Sequence, residues 1–188
     1  MANKVIFCVD ISPSMGYKTK EMTKSLIEMF NEAYNQIFLK EASECDDSVQ
    51  TMLITYADEA KVVKEFREDP KDLNLSAKES GSSNLYAAFV SIADLWEKDS
   101  EKYKSSTVVV ISDGDPDENC DKEEIHKGFV NLSNKNMTVY LYYVDGDFSA
   151  DHEYEENISC KHYSFSENSM RDLMEDLLVN TGIDERHE

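Results

Sequence analysis

Apolar positions along the chain follow two rhythms, and their alternation outlines the fold. Residues 4–10 read as a continuous apolar strand (Val5, Ile6, Phe7, Cys8, Val9) closed by Asp10, the pattern of a strand covered on both faces. After a loop containing Pro13 and Gly16, Met22, Leu26, Met29, Phe30, Ala33 and Ile37 recur at spacings of three and four, which predicts a helix over about residues 19–41. The acidic stretch Glu44, Asp46, Asp47 makes a loop, and residues 49–56 return as a strand. Strand, long helix, strand is a parallel crossover unit. The next connection, residues 57–60, is far shorter than the dozen or so residues a parallel crossover requires, so residues 61–66 should pair antiparallel with their predecessor at a sheet edge.

A polar loop then leads through Gly81-Ser82-Ser83-Asn84 to a helical face of Leu85, Ala88, Phe89, Ile92, Leu95 and Trp96, with a serine or asparagine capping its start. Residues 108–111 form a second buried strand that ends in Ser112-Asp113-Gly114. A weaker helix passes through Ile125, Phe129 and Leu132, strands follow over 137–144 and 158–165, and Met170, Leu173, Met174, Leu177 and Leu178 mark a terminal helix that Gly182 is placed to cap. The pattern predicts one α/β domain over residues 1–183 and a tail over 184–188. Its central sheet should be doubly wound and mostly parallel, with one antiparallel edge strand and helices on both faces.

A length of 188 residues suits one compact domain, and 40% hydrophobic residues with only 6 Gly and 3 Pro exclude low-complexity and wholly disordered readings. Charge narrows the partners. Lys plus Arg is 19 against 39 Asp plus Glu, a formal charge of −20, which repels nucleic-acid phosphates and anionic membranes. No apolar run nears the roughly 20 residues of a spanning helix. The run from Val5 to Val9 also falls short of a secretory signal, and Cys8, Cys45, Cys120 and Cys160 are dispersed without a CxxC pair. The expectation is reduced thiols in a cytoplasmic protein.

In open α/β sheets, ligands bind beyond the carboxyl ends of the strands, so polar residues there converge whatever their separation in sequence. Three such clusters occur: Asp10-Ile11-Ser12-Pro13-Ser14, Ser82-Ser83, and Asp113. All offer oxygen donors. Carboxylates and hydroxyls without His or Cys suit a hard cation such as Mg²⁺, with Mn²⁺ or Ca²⁺ as alternative occupants. The alternation of Asp10, Ser12 and Ser14 lets one extended loop present its side chains the same way. His126, His152, His162 and His187 show no ligand spacing, and Asp145 and Asp147 are explained by turn chemistry around Gly146.

These elements resemble the von Willebrand factor type A domains, whose metal-ion-dependent adhesion site combines D-x-S-x-S with a distant Thr and a distant Asp. Asp10-Ile11-Ser12-Pro13-Ser14-Met15-Gly16 is similar to the first element, Gly81-Ser82-Ser83-Asn84-Leu85 to the Gly-Gly-Thr-Asn loop, and Ile111-Ser112-Asp113-Gly114 to the third. The resemblance covers the order of elements from about residue 4 to 179 and implies a Rossmann-like fold. It also implies that Ser12, Ser14 and Ser83 coordinate Mg²⁺ through hydroxyls, that Asp10 and Asp113 act largely through bound water, and that one position stays open for a partner's Asp or Glu. Ser83 stands where the family usually has Thr, keeping the hydroxyl and losing the methyl. Pro13 replaces a commonly small residue and should stiffen the loop.

The function implied is a noncatalytic, Mg²⁺-dependent protein-interaction module. The wording VDISPSMG and SDGDPDE is most similar to standalone bacterial cytoplasmic members, including the tellurium-resistance-associated type, whose partners are often stress-response, chaperone-like, kinase or phosphatase proteins. Asp115, Asp117, Glu118 and Asp121 beside the site should favour a partner with Lys or Arg around its carboxylate. Two alternatives remain. One is a phosphohydrolase resembling the haloacid dehalogenases, with Asp10 as nucleophile, though Ser12 stands where its general acid would be. The other is the same fold with an inactive metal site.

Overall fold

The computed structural model describes residues 3–18, 20, 22–45, 48–67, 72–114, 122–144 and 159–183. Asp115, Asp117, Glu118, Cys120, Asp121, Asp145 and Asp147, and the tail from residue 184, lie outside these residues.

Six strands, β1 (Asn3–Asp10), β2 (Val49–Tyr56), β3 (Ala60–Arg67), β4 (Thr107–Ser112), β5 (Thr138–Val144) and β6 (Ser159–Tyr163), form one sheet in the order β3-β2-β1-β4-β5-β6. β3 runs antiparallel to β2 at one edge, and every other pairing is parallel. The continuous apolar runs are those of the strands covered on both faces. Val5, Phe7 and Val9 face a core shared with helices α1 (Leu26–Ala33) and α6 (Ser169–Asn180). Ile6 and Cys8 face a second core built with α3 (Leu85–Lys98) and α5 (Lys122–Asn134). The sheet reverses its winding direction between β1 and β4, so the crevice at their carboxyl ends is the topological switch point.

The first crossover differs from its predicted form. The helix starts at Leu26 rather than near residue 19, because Ser25 and Glu28 form a reciprocal capping box that satisfies the first free amides. It passes through a π turn (Tyr34–Phe38) into α2 (Leu39–Glu44). The wider turn lets Tyr34 stack on Phe38, with ring centroids 5.1 Å apart, while both rings meet Phe7 edge-on. A short helix, α4 (Ser100–Tyr103), follows α3, and Asn84 caps α3 by accepting the Ala87 amide at 3.1 Å. At the other end of the chain, Gly182 adopts φ +68°, and the Ile183 amide reaches the Leu178 carbonyl at 3.0 Å, a Schellman closure of α6.

Cys8 is a buried free thiol that burial pushes well above its ordinary pKa, and Cys45 is free and half-buried. Among the described residues no helix is long and apolar enough to cross a membrane.

Candidate metal centre

β1 delivers Asp10 to the middle of the sheet and leaves its side chain fully buried. The chain then turns at once. The Ile11 amide still bonds to the Tyr56 carbonyl at 2.9 Å, whereas the Ser12 amide folds back onto Asp10 Oδ1 at 2.7 Å. This turn feeds a 3₁₀ turn, Pro13–Gly16, whose first position suits proline because the amide there has no partner to lose. Met15 anchors the turn in the core, and the hydroxyls of Ser12 and Ser14 come to 3.1 Å of each other.

Ser83 arrives from 73 positions away and donates its hydroxyl to Asp10 Oδ2 at 2.7 Å. Its loop is held by Asp58, which accepts both the Ser82 amide and the Ser82 hydroxyl at 2.8 Å. Those two bonds, the amide first, hold the Asp58 carboxyl below its ordinary pKa. Gly81 sits at φ +126°, and a Cβ there would lie 2.6 Å from Asp58 Oδ2, so both backbone shape and close approach demand glycine. The Asn84 amide closes the arrangement onto the Ala57 carbonyl at 2.7 Å.

From the neighbouring strand, Ser112 donates to Asp10 Oδ2 at 2.7 Å. Tyr56, the register partner of Asp10 on β2, is buried beside this strand end. Burial above all, then the Asp10 charge, keeps the Tyr56 hydroxyl protonated far above its usual range, and the Asp113 carboxylate adds to this. The register pairs Val9 with Ile111, so Ser112 and Asp113 leave the sheet alongside Asp10 and Ile11, with Asp113 half-buried.

Asp10, Ser12, Ser14 and Ser83 therefore share one hydrogen-bonded cluster, and Asp113 stands on the adjoining strand end. Sequence reasoning did not identify Ser112, Tyr56 or Asp58. Ser112 stands within Ile111-Ser112-Asp113-Gly114 beside the more conspicuous Asp113, and Asp58 carries no signal beyond its place in a short turn.

The donor set fits a hard divalent ion. Cis oxygens around Mg²⁺, each about 2.1 Å from the ion, lie about 3.0 Å apart, close to the Ser12–Ser14 separation of 3.1 Å. Asp10 takes the protons of Ser83 and Ser112, which leaves the lone pairs of those hydroxyls free to turn toward a cation. Asp10 itself is a buried carboxylate that forms no ion pair with any described lysine or arginine. Three hydrogen bonds satisfy its oxygens without neutralising its charge, so a cation bound beside it would meet a net negative centre. Among the described residues no three His, Cys, Asp or Glu side chains gather, so hydroxyls are essential to any metal site here.

The von Willebrand factor type A domain model matches residues 5–115, and the chain belongs to that family. No curated protein sequence matches the chain. Among solved structures it is similar to the PilB minor pilin of Streptococcus sanguinis, with 14% identity and TM-score 0.68, covering 98% of this chain and 62% of the pilin. It is also similar to proximal thread matrix protein 1 of the mussel byssus, with 13% identity, TM-score 0.67, and coverage of 96% of this chain and 46% of that one. The SpRpn10 VWA domain shows 16% identity and TM-score 0.68, covering 93% of this chain and 94% of the domain. The chain thus spans less than two thirds of the first two proteins and nearly all of the third. At these identities the likeness establishes the fold, one used by protein-interaction modules.

Proposed function

We propose that the protein is a noncatalytic interaction module in which Asp10, Ser12, Ser14, Ser83 and Asp113 hold Mg²⁺ and a partner's Asp or Glu completes its coordination. The observation that carries this reading is the fully buried Asp10, which pairs with no Lys or Arg among the described residues and accepts hydrogen bonds from serine hydroxyls at the switch point of the sheet. Bound there, the ion supplies positive charge with room for an external anion. The residues of this chain do the rest: Asp10 orients the hydroxyls, Ser12 and Ser14 present a pair of oxygens at octahedral spacing, and Asp58 fixes the loop of Ser83. Tyr17, 69% exposed and one residue beyond the 3₁₀ turn, offers the partner a rigid aromatic contact at the edge of the site.

The phosphohydrolase alternative gains nothing from this geometry. Both oxygens of Asp10 accept hydrogen bonds and the side chain is fully buried, which leaves a poorly placed nucleophile. The wording around Asp10 and Asp113 supports placing the chain with the cytoplasmic bacterial members, in a stress-response system of the tellurium-resistance type. The test is affinity capture from the native cell, in Mg²⁺ and in chelator, with wild type, Ser12→Ala and Tyr17→Ala. The proposal expects one set of partners lost in chelator and with Ser12→Ala, and weakened with Tyr17→Ala. Partners retained in chelator and by Ser12→Ala would refute metal-bridged recognition.

A further inference from the structure

Residues 72–84, which lead into α3, have no regular secondary structure, yet residues 72–80 are tied down at two points by one continuous helical segment. Asn31 Nδ2 donates to the Leu75 carbonyl at 2.8 Å, and Asn31 Oδ1 accepts the Leu75 amide at 2.9 Å. Asn35 does the same to Leu73, donating to its carbonyl at 2.8 Å and accepting its amide at 2.7 Å. Each carboxamide thus copies the two-way pairing of a strand neighbour. The spacings match: four residues of helix rise about 6 Å, and two residues of extended chain advance about 6.6 Å. Leu73 is buried beneath the clamp, and Leu75 and Ala77 pack against the same core.

What this strap reaches gives the clamp its meaning. The Lys78 amide donates to the Ile11 carbonyl at 2.8 Å, between Asp10 and Ser12. Ala77 lies so close to Gly16 that a Cβ on that glycine would be 2.8 Å from the alanine Cβ, at the end of the turn that carries Ser14. A few residues later the same strap becomes the loop in which Asp58 holds Ser82 and Ser83 reaches Asp10.

We infer that Asn31 and Asn35 are positioning residues for the metal centre: by pinning the strap to α1 and the π turn that continues it, they hold the Ser83 loop in register with the Ser12–Ser14 loop. The consequence for metal affinity rests on the proposed Mg²⁺ site, whereas the consequence for loop order does not. The chemistry explains the residue type. Asp in either place keeps the acceptor for the strap amide but sets a carboxylate oxygen against the carbonyl, and Leu removes both bonds at similar volume.

The test uses the whole chain, with Asn31→Leu, Asn35→Leu and the milder Asn31→Asp and Asn35→Asp, against Leu132→Ala, a core truncation on the opposite face of the sheet. In metal-free protein, amide exchange at Lys78, Ser82 and Asn84 should accelerate more than about tenfold beyond that of β2 in the Leu variants, and by less in the Asp variants. The Mg²⁺ dissociation constant by calorimetry should rise about tenfold or more in the Leu variants, the size of effect usual for residues that orient ligands, and by less than about twofold in Leu132→Ala. Faster exchange confined to Leu73 and Leu75, or a metal affinity no worse than in Leu132→Ala, would overturn the inference. Should a Leu variant fail to fold, the Asp variants carry the same comparison. If wild type takes up no Mg²⁺, the metal reading falls, and the exchange pattern alone decides the clamp.

Discussion

Asp10 organises the site through short bonds to residues both near and far along the chain. Ser12 and Ser14 were legible because they stand beside it in sequence, and Ser83 because it adjoins a helix whose hydrophobic pattern is plain. Ser112 and Asp58 were not, since their partners lie 102 and 24 positions away and only the folded sheet brings them into contact. Gly81 shows how closely this local geometry is set. Gly81→Ala must strain a backbone at φ +126° and push into the Asp58 carboxylate, so thermal unfolding should register a loss of about 1–3 kcal/mol. The Asp58 carboxyl should also titrate closer to its ordinary range as the Ser82 bonds weaken. A variant with unchanged stability and an unchanged Asp58 titration would mean that the loop does not need this conformation.

The helical crossover after β1 marks where periodicity stops informing. Met22 continues the spacing of Leu26, Met29 and Phe30, so the pattern extended the helix too early, and only the exchange of bonds between Ser25 and Glu28 marks its real start. The π turn left no trace in the spacing, because Tyr34 and Phe38 sit four apart as they would in an ordinary helix. The clamp of Asn31 and Asn35 was hidden for another reason: asparagine on a helix reads as solvent-facing until the strap over it is known. The cap carries a pH signature. The Lys18 ammonium first, and the Ser25 amide next, lower the Glu28 carboxyl from 4.5 to about 2. A depressed carboxyl contributes stability above its unfolded value, so this contribution should be complete above about pH 4.5 and disappear as pH falls toward 2. Glu28 is half-exposed and its share is accordingly small. Chemical denaturation from pH 6 to 2, roughly the range over which this linkage acts, should show the gap between wild type and Glu28→Gln closing as the solution is acidified. A gap that widens in acid would contradict the assignment.

At the scale of the whole molecule, the mostly parallel sheet and its one antiparallel edge followed from hydrophobic runs and connection lengths, since so short a link after β2 admits only a reversal. The metal itself is the step that folding logic alone does not supply. A formal charge of −20 makes the folded chain a source of self-repulsion that a bound cation partly relieves. Mg²⁺ at 100 times its dissociation constant should stabilise wild type by about 2.7 kcal/mol, seen as a rise in Tm, and Asp10→Asn should lose that rise while remaining folded. An equal rise in both proteins would indicate diffuse ion binding to the acidic surface. The most direct trial of the central claim is anomalous diffraction from crystals of the full chain grown with Mn²⁺. The account predicts one strong peak within about 2.3 Å of the hydroxyl oxygens of Ser12, Ser14 and Ser83, with a water or a neighbouring carboxylate in an outward position. Manganese bound only elsewhere, or a site whose every position is filled by this chain's own side chains, would contradict it.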